Sequence, residues 1–157
     1  VRGHAPDALV NRLVEVDGVR AFLLSTAEQG IVLTQLDIRA LQFAKGSIGA
    51  GVEVLMRHLG VTPEDLHEVL LGGSFGSYIN PSSARIIGLV PPQVPVERIV
   101  AVGNAAGEGA KMALLSFRER EAANRIPQFI EYLELSGRPE FNDIFTEALG
   151  FPVNSGQ

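Results

Sequence analysis

The sequence predicts an α/β fold, and three observations point there. Its 157 residues are 46% hydrophobic and 20% charged, a globular composition able to remove roughly two-thirds of its unfolded surface from water. Two apolar, β-prone runs, residues 66–71 (LHEVLL) and 98–102 (RIVAV), each lead straight into a glycine-rich segment and then a helical pattern. Between residues 34 and 59, apolar side chains recur at helical spacing.

In chain order, the runs 13–16 and 19–24 flank Asp17-Gly18, a pair that favours a two-residue hairpin turn. An Asp-x-Gly phosphate hairpin at Asp17 is the weaker reading, because no Gly or Thr cluster follows it. Residues 31–33 read as a short strand. Thr34 opens the long helix, with Asp37 three residues on as a capping box. Ile38, Leu41, Ile48, Val52, Leu55 and Leu59 give its apolar spacing, and Gly60 its stop. Inside it stand Gly46, Gly49 and Gly51, each costing ~1 kcal/mol relative to alanine. Close packing on a sheet or room for a ligand ring would compensate, and the residues leave both open.

After the strand at 66–71, Asn80-Pro81 supplies an N-cap and first-turn pair for a helix through Ile87, ended by Gly88. A stiff connector, residues 91–95 (PPQVP), leads to the strand at 98–102. Asn104 can cap the helix that carries Met112, Leu115 and Phe117. A charged helix over 118–125, a strand over 129–135 and a last helix over 139–149 complete the order, with Phe141, Ile144, Phe145 and Leu149 as the apolar face of the last. Residues 153–157 are expected to form a disordered tail, and the whole chain a single domain without repeats.

Composition excludes several classes of chemistry. There is no Cys, so this chain forms no disulfide and no thiolate metal site. Three scattered histidines, His4, His58 and His67, argue against a His-rich metal centre. A net charge of −5 argues against nucleic acid and anionic membranes as partners. No apolar run reaches the ~18 residues needed to span a bilayer. A cytoplasmic location is expected.

Chemistry concentrates at the two strand ends. Strands joined through helices run parallel, so both C-termini lie on one edge of the sheet, where open α/β sheets bind ligands. The segments Gly72-Gly73-Ser74-Phe75-Gly76 and Gly103 to Gly109 would then face one crevice. Turns without Cβ atoms let phosphate or ribose approach the backbone, and the N–H groups that open the next helix favour an anion. The pattern suggests a nucleotide or another phosphate-bearing ligand. It matches neither a Walker A loop, which fails between Gly103 and Lys111, nor the dinucleotide fingerprint, which fails at Met112. Glu108 reads as a complement to the helix dipole in preference to a catalytic acid. No catalytic residue and no metal site is assigned.

The order of these parts resembles the C-terminal lobe of the sugar kinase, actin and heat-shock chaperone (ASKHA) superfamily. More closely, TQLDIRALQFAKGSIGAG, LLGGSFGSYINP, VGNAAGEGAKMALLS and FIEYLELS, in this order within residues 31–152, are similar to the C-terminal part of the reductive activators of corrinoid-dependent methyltransferases. The resemblance implies a three-layer, ribonuclease H-like/actin-like ATPase lobe with a mixed, mostly parallel sheet flanked by helices. It implies that ATP or ADP, with Mg²⁺ in the intact protein, sits between this lobe and a second one. Gly72, Gly73 and Ser74 would approach ribose and phosphates, with Phe75 beside them and the loop to Asn80 shaping the rim. Gln42, Lys45, Gly46 and Gly49 would lie against the nucleoside. Gly103 and Asn104 belong to the second turn, for which support of the first is the favoured role.

Relative to that family, the sequence lacks the cysteine-bearing ferredoxin-like domain, where a [2Fe-2S] cluster is expected, and the first ASKHA lobe with its phosphate hairpins. The chain is therefore expected to be a fragment, inactive alone, of an activator that returns Co(II) corrinoid proteins to Co(I). Its expected partners are a corrinoid protein and the missing lobes, with homodimerisation left open. Two rivals stand beside this reading: a lobe of a sugar or small-molecule kinase, and a non-enzymatic docking or dimerisation module.

Overall fold

The computed structural model describes residues 7–26 and 28–152; the expected tail at 153–157 lies outside them. The chain divides into two compact units, Val1–Ala44 and Lys45–Gln157.

In the first unit a short helix, α1 (Asp7–Val10), precedes three antiparallel strands, β1 (Leu13–Val16), β2 (Val19–Leu23) and β3 (Val32–Thr34). Asp17 and Gly18, at φ of 51° and 76°, form the two-residue turn, so Val16 faces Val19 and Leu13 faces Phe22. Both residues are left-handed, as a type I′ turn requires, and Gly18 and Asp17 tolerate this region. The β2–β3 link is closed by Leu24 N–H donating to the Ile31 carbonyl at 2.8 Å. Links this short permit only antiparallel neighbours. Among the paired strands, antiparallel pairing thus outweighs the mostly parallel pairing expected from the sequence.

The long helix α2 (Gln35–Leu59) starts as its capping box dictates. The Asp37 carboxylate accepts from Thr34 N–H at 2.8 Å and from the Thr34 hydroxyl at 2.7 Å, while Thr34 Oγ1 accepts from Asp37 N–H at 3.2 Å. Those bonds favour the ionised acid and lower the Asp37 pKa. Gly60, at φ 65°, ends the helix, its N–H donating to the Arg57 carbonyl.

In the second unit β4 (Val69–Gly72) is followed by two short helices, α3 (Gly73–Tyr78) and α4 (Pro81–Ile86), and then by β5 (Ile99–Gly103), which pairs with β4 in parallel. The first of these strands begins at Val69, later than the expected 66, because Leu66 closes a 3-10 turn and its carbonyl accepts from Arg98 at 3.0 Å. Asn80 caps α4 by accepting from Ser83 N–H at 3.0 Å. The core between them holds Ala84, Val90, Val94 and Ile99, with Leu66, Val69, Leu71 and Ile79 packed around it.

Three helices follow: α5 (Ala105–Leu115), α6 (Phe117–Arg125) and α7 (Pro139–Ala148). The strand expected over residues 129–135 does not form. The segment finds no partner strand among the described residues; Leu133 and Leu135 instead join Ala50, Val54 and Ile144 in a second core, with Phe141, Phe145 and Ala148 around them. Among the described residues, no helix is long and apolar enough to cross a membrane.

Candidate functional site

The two glycine corners meet. Gly72 and Gly103 are register partners at the C-terminal ends of the parallel pair, immediately past an irregularity between Leu71 and Gly72. Both strands end there, one leading directly into a helix at Gly73 and the other into α5 through its cap Asn104. Gly73 and Gly103 carry left-handed φ values of 83° and 64°, which a side chain would strain. A Cβ on Gly73 would meet nothing within 4 Å, and one on Gly72 only Val102 and Ala105 at 3.7–3.9 Å. The space beside Gly73 is therefore open, and a group could approach the backbone there.

The first corner is more ordered than a glycine-rich loop. Residues 73–78 form α3, held by Gly76: a Cβ there would lie 2.8 Å from the Leu71 carbonyl carbon, so only glycine lets this helix rest on the end of β4. Ser77 donates from Oγ to the Gly73 carbonyl at 2.9 Å and lies 3.9 Å from the Cβ position of Gly103, which links the two corners. The sequence marks Gly76 only as part of the glycine corner and Ser77 only as part of the loop to Asn80, not as the residues that hold a helix there. Their spacing of three and four from Gly73 is a signal only once residues 73–78 are known to be helical. Ser74 is exposed at the start of this helix, and the side chain of Phe75 lies outside the described residues.

At the second corner Asn104 accepts from Gly107 N–H at 3.0 Å and so caps α5. Glu108, in the first turn of that helix, pairs with Lys111 at 2.6 Å. Among the described residues no group of three or more His, Asp or Glu is placed to hold a metal ion. Below the first corner lies an apolar cavity of about 270 Å³, bounded by Ile48, Val52, Val69, Leu71, Gly72 and Ile79. The sequence placed Ile48 and Val52 in the apolar spacing of the long helix, Val69 and Leu71 in a strand, and Gly72 at the ligand corner.

The helical residues expected against a nucleoside all lie on α2. Gln42 is half-buried on α2 within the first unit. Lys45, Gly46 and Gly49, in the second unit, pack on other parts of that unit. Lys45 is 2% exposed, and its ammonium donates to the Ala148 and Gly150 carbonyls and lies 5.2 Å from the Phe151 ring centroid. Burial lowers its pKa from the usual lysine range. A Cβ on Gly46 would stand 3.3–3.4 Å from Leu149, Ala148 and Phe145, and one on Gly49 would stand 3.3 Å from the Gly88 carbonyl. Close packing thus accounts for these glycines, against a helix and a turn where a sheet was expected.

The family model for the C-terminal domain of RACo, the ASKHA domain, matches residues 2–157. The chain is 37% identical over 155 residues to the corrinoid activation enzyme RamQ of Eubacterium limosum, an alignment covering 92% of this chain and 26% of that protein. Its fold is similar to a solved structure of a reductive activator for corrinoid, iron-sulfur protein, with a TM-score of 0.79 and 33% identity over 90% of this chain and 23% of that one. The chain thus spans about a quarter of the length of these relatives.

Proposed function

The chain belongs to the family of the C-terminal ASKHA domain of RACo, and from that premise we propose that it is the nucleotide-binding lobe of a reductive activator that returns Co(II) corrinoid proteins to Co(I). The carrying observation is the side-by-side placement of Gly72 and Gly103 at one strand edge, with open space over Gly73. Two similar proteins that are corrinoid activators support the same reading.

In this proposal ATP or ADP, with Mg²⁺, supplies the binding energy that closes two lobes on each other. The residues of this chain bind and orient. Gly72 and Gly73 present bare backbone to ribose and phosphates, and Ser74 offers a hydroxyl at the same corner. Ser77 and Asn104 hold the two corners in shape through the Gly73 carbonyl and the Gly107 amide. Reduction of Co(II) adds one electron to the metal. With no cysteine this chain holds no thiolate-ligated iron–sulfur cluster, and a [2Fe-2S] centre outside this chain would supply the electron. The corrinoid protein is the acceptor, and this lobe contributes a surface that moves with the nucleotide.

Isothermal titration of ADP into the full-length protein tests the assignment. Gly73→Val places a branched side chain at a left-handed position facing the ligand space, and is expected to lower affinity at least tenfold. Unchanged affinity would remove Gly73 from the site.

A further inference from the structure

Lys45 is the most deeply buried charged group among the described residues, yet the glycine corners do not use it. Its ammonium is taken up by two backbone carbonyls just past and at the end of α7, Ala148 and Gly150. The last carbonyls of a helix have no partner within the helix and carry its negative dipole end, so a cation seated on them is favourable. Around that contact the chain is cut to fit. Gly46 leaves room for Leu149 and Phe145, and Gly49 for the Gly88 carbonyl. Gly88, at φ 77°, leaves room for the Pro152 ring, which would stand 3.0 Å from a Cβ there. The Phe151 ring lies over the ammonium. Two glycines and one lysine, Gly46, Gly88 and Lys45, converge on the single short stretch 145–152, and Gly49 seats the Gly88 carbonyl beside them.

We propose that this is a latch: Lys45 and Gly46 of α2 are the receptor for the C-terminal end of α7, and Lys45 is a positioning residue that locks that segment and does not contact the nucleotide. The two carbonyls accept from one ammonium, so opening the latch strands them together, and closure is cooperative. Gly46 sets which segment is received, because a Cβ there crowds Leu149, the Ala148 carbonyl and Phe145 at once.

The test is hydrogen–deuterium exchange of residues 139–152 in the full-length protein, measured alongside ADP titration for wild type, Lys45→Met and Gly46→Ala. Lys45→Met is expected to speed exchange at Leu149 and Gly150 roughly 10- to 100-fold, the effect of leaving two part-buried acceptors unpaired. Gly46→Ala is expected to speed it at the same amides to a smaller extent, and it keeps the lysine, so it reports even if Lys45→Met folds poorly. ADP affinity should stay within twofold in both. Loss of ADP affinity by tenfold or more with unchanged exchange at 145–152 would overturn the latch and return Lys45 to the ligand. Unchanged exchange in both variants would overturn it as well. Absence of ADP binding in the wild type would instead refute the nucleotide assignment, while the exchange comparison would still decide the latch.

Discussion

Gly72 and Gly103 face each other across the end of a two-stranded parallel ladder, each the last residue of its strand, one leading directly into a helix at Gly73 and the other into α5 through its cap Asn104. The pair exists because a helical crossover returns the chain in the same direction, so two separate glycine motifs reach one edge. Gly103 at φ 64°, and Gly73 next to Gly72 at φ 83°, sit where other L-residues are strained, whereas Gly72 itself is extended at φ −98°.

The glycines around this edge should separate by what surrounds them. Gly76→Ala drives a methyl group into the Leu71 carbonyl and should destabilise the protein by ~1–3 kcal/mol through overpacking. Gly109→Ala, inside α5 with nothing within 4 Å, should stabilise it by ~0.5–1 kcal/mol through helix propensity. Urea unfolding midpoints should therefore move in opposite directions, and movement in the same direction would contradict the packing described for α3.

The caps give a second test. Asn80→Ala and Asn104→Ala each remove an acceptor from a first-turn amide, Ser83 and Gly107. Each should cost ~1 kcal/mol, read as a lower thermal unfolding midpoint. Because Asn104 shapes the second corner, its substitution should also weaken ADP binding more than that of Asn80.

Acid should release one surface cluster in a defined window. Glu134 accepts from the Ser136 hydroxyl and amide and from the Tyr132 hydroxyl at 2.6 Å, bonds that hold its carboxyl down at about 2 from an ordinary 4.5. A depressed carboxyl contributes stability that is fully present above its unfolded pKa and is lost as pH falls through the folded one. The Tyr132 near-UV signal should therefore hold above about pH 4.5 and fade toward about pH 2. In Glu134→Gln the acid-dependent change should vanish. An unaltered acid transition in that variant would assign it to another group.

Local signals in the sequence were legible where one residue decides a bond. Thr34 and Asp37, Asp17-Gly18, Asn80-Pro81, Gly60 and Asn104 all do what their chemistry dictates. The α3 helix was not legible, because Gly-Gly-Ser-Phe-Gly has turn composition and becomes helical only by resting on Leu71. Residues 129–135 alternate like a strand, yet Leu133 and Leu135 are drawn into the core beside Val54, and pattern alone cannot supply the missing neighbour. The glycines of α2 were visible as an anomaly, but the residues they make room for lie far along the chain, Phe145 to Leu149 for Gly46, Gly88 for Gly49 and Leu135 for Gly51. For the site, pairing of the two corners was legible from topology, whereas the roles of Gly76, Ser77 and Lys45 depend on tertiary contacts.

The footprint of ADP on the full-length protein tests the central claim most directly, by hydrogen exchange with and without the nucleotide. Slower exchange confined to residues 70–78 and 99–107, with 145–152 unaltered, is the result expected of a ligand held at the paired glycine corners. Protection absent from both segments, or appearing only at 45–49 and 145–152, would contradict it.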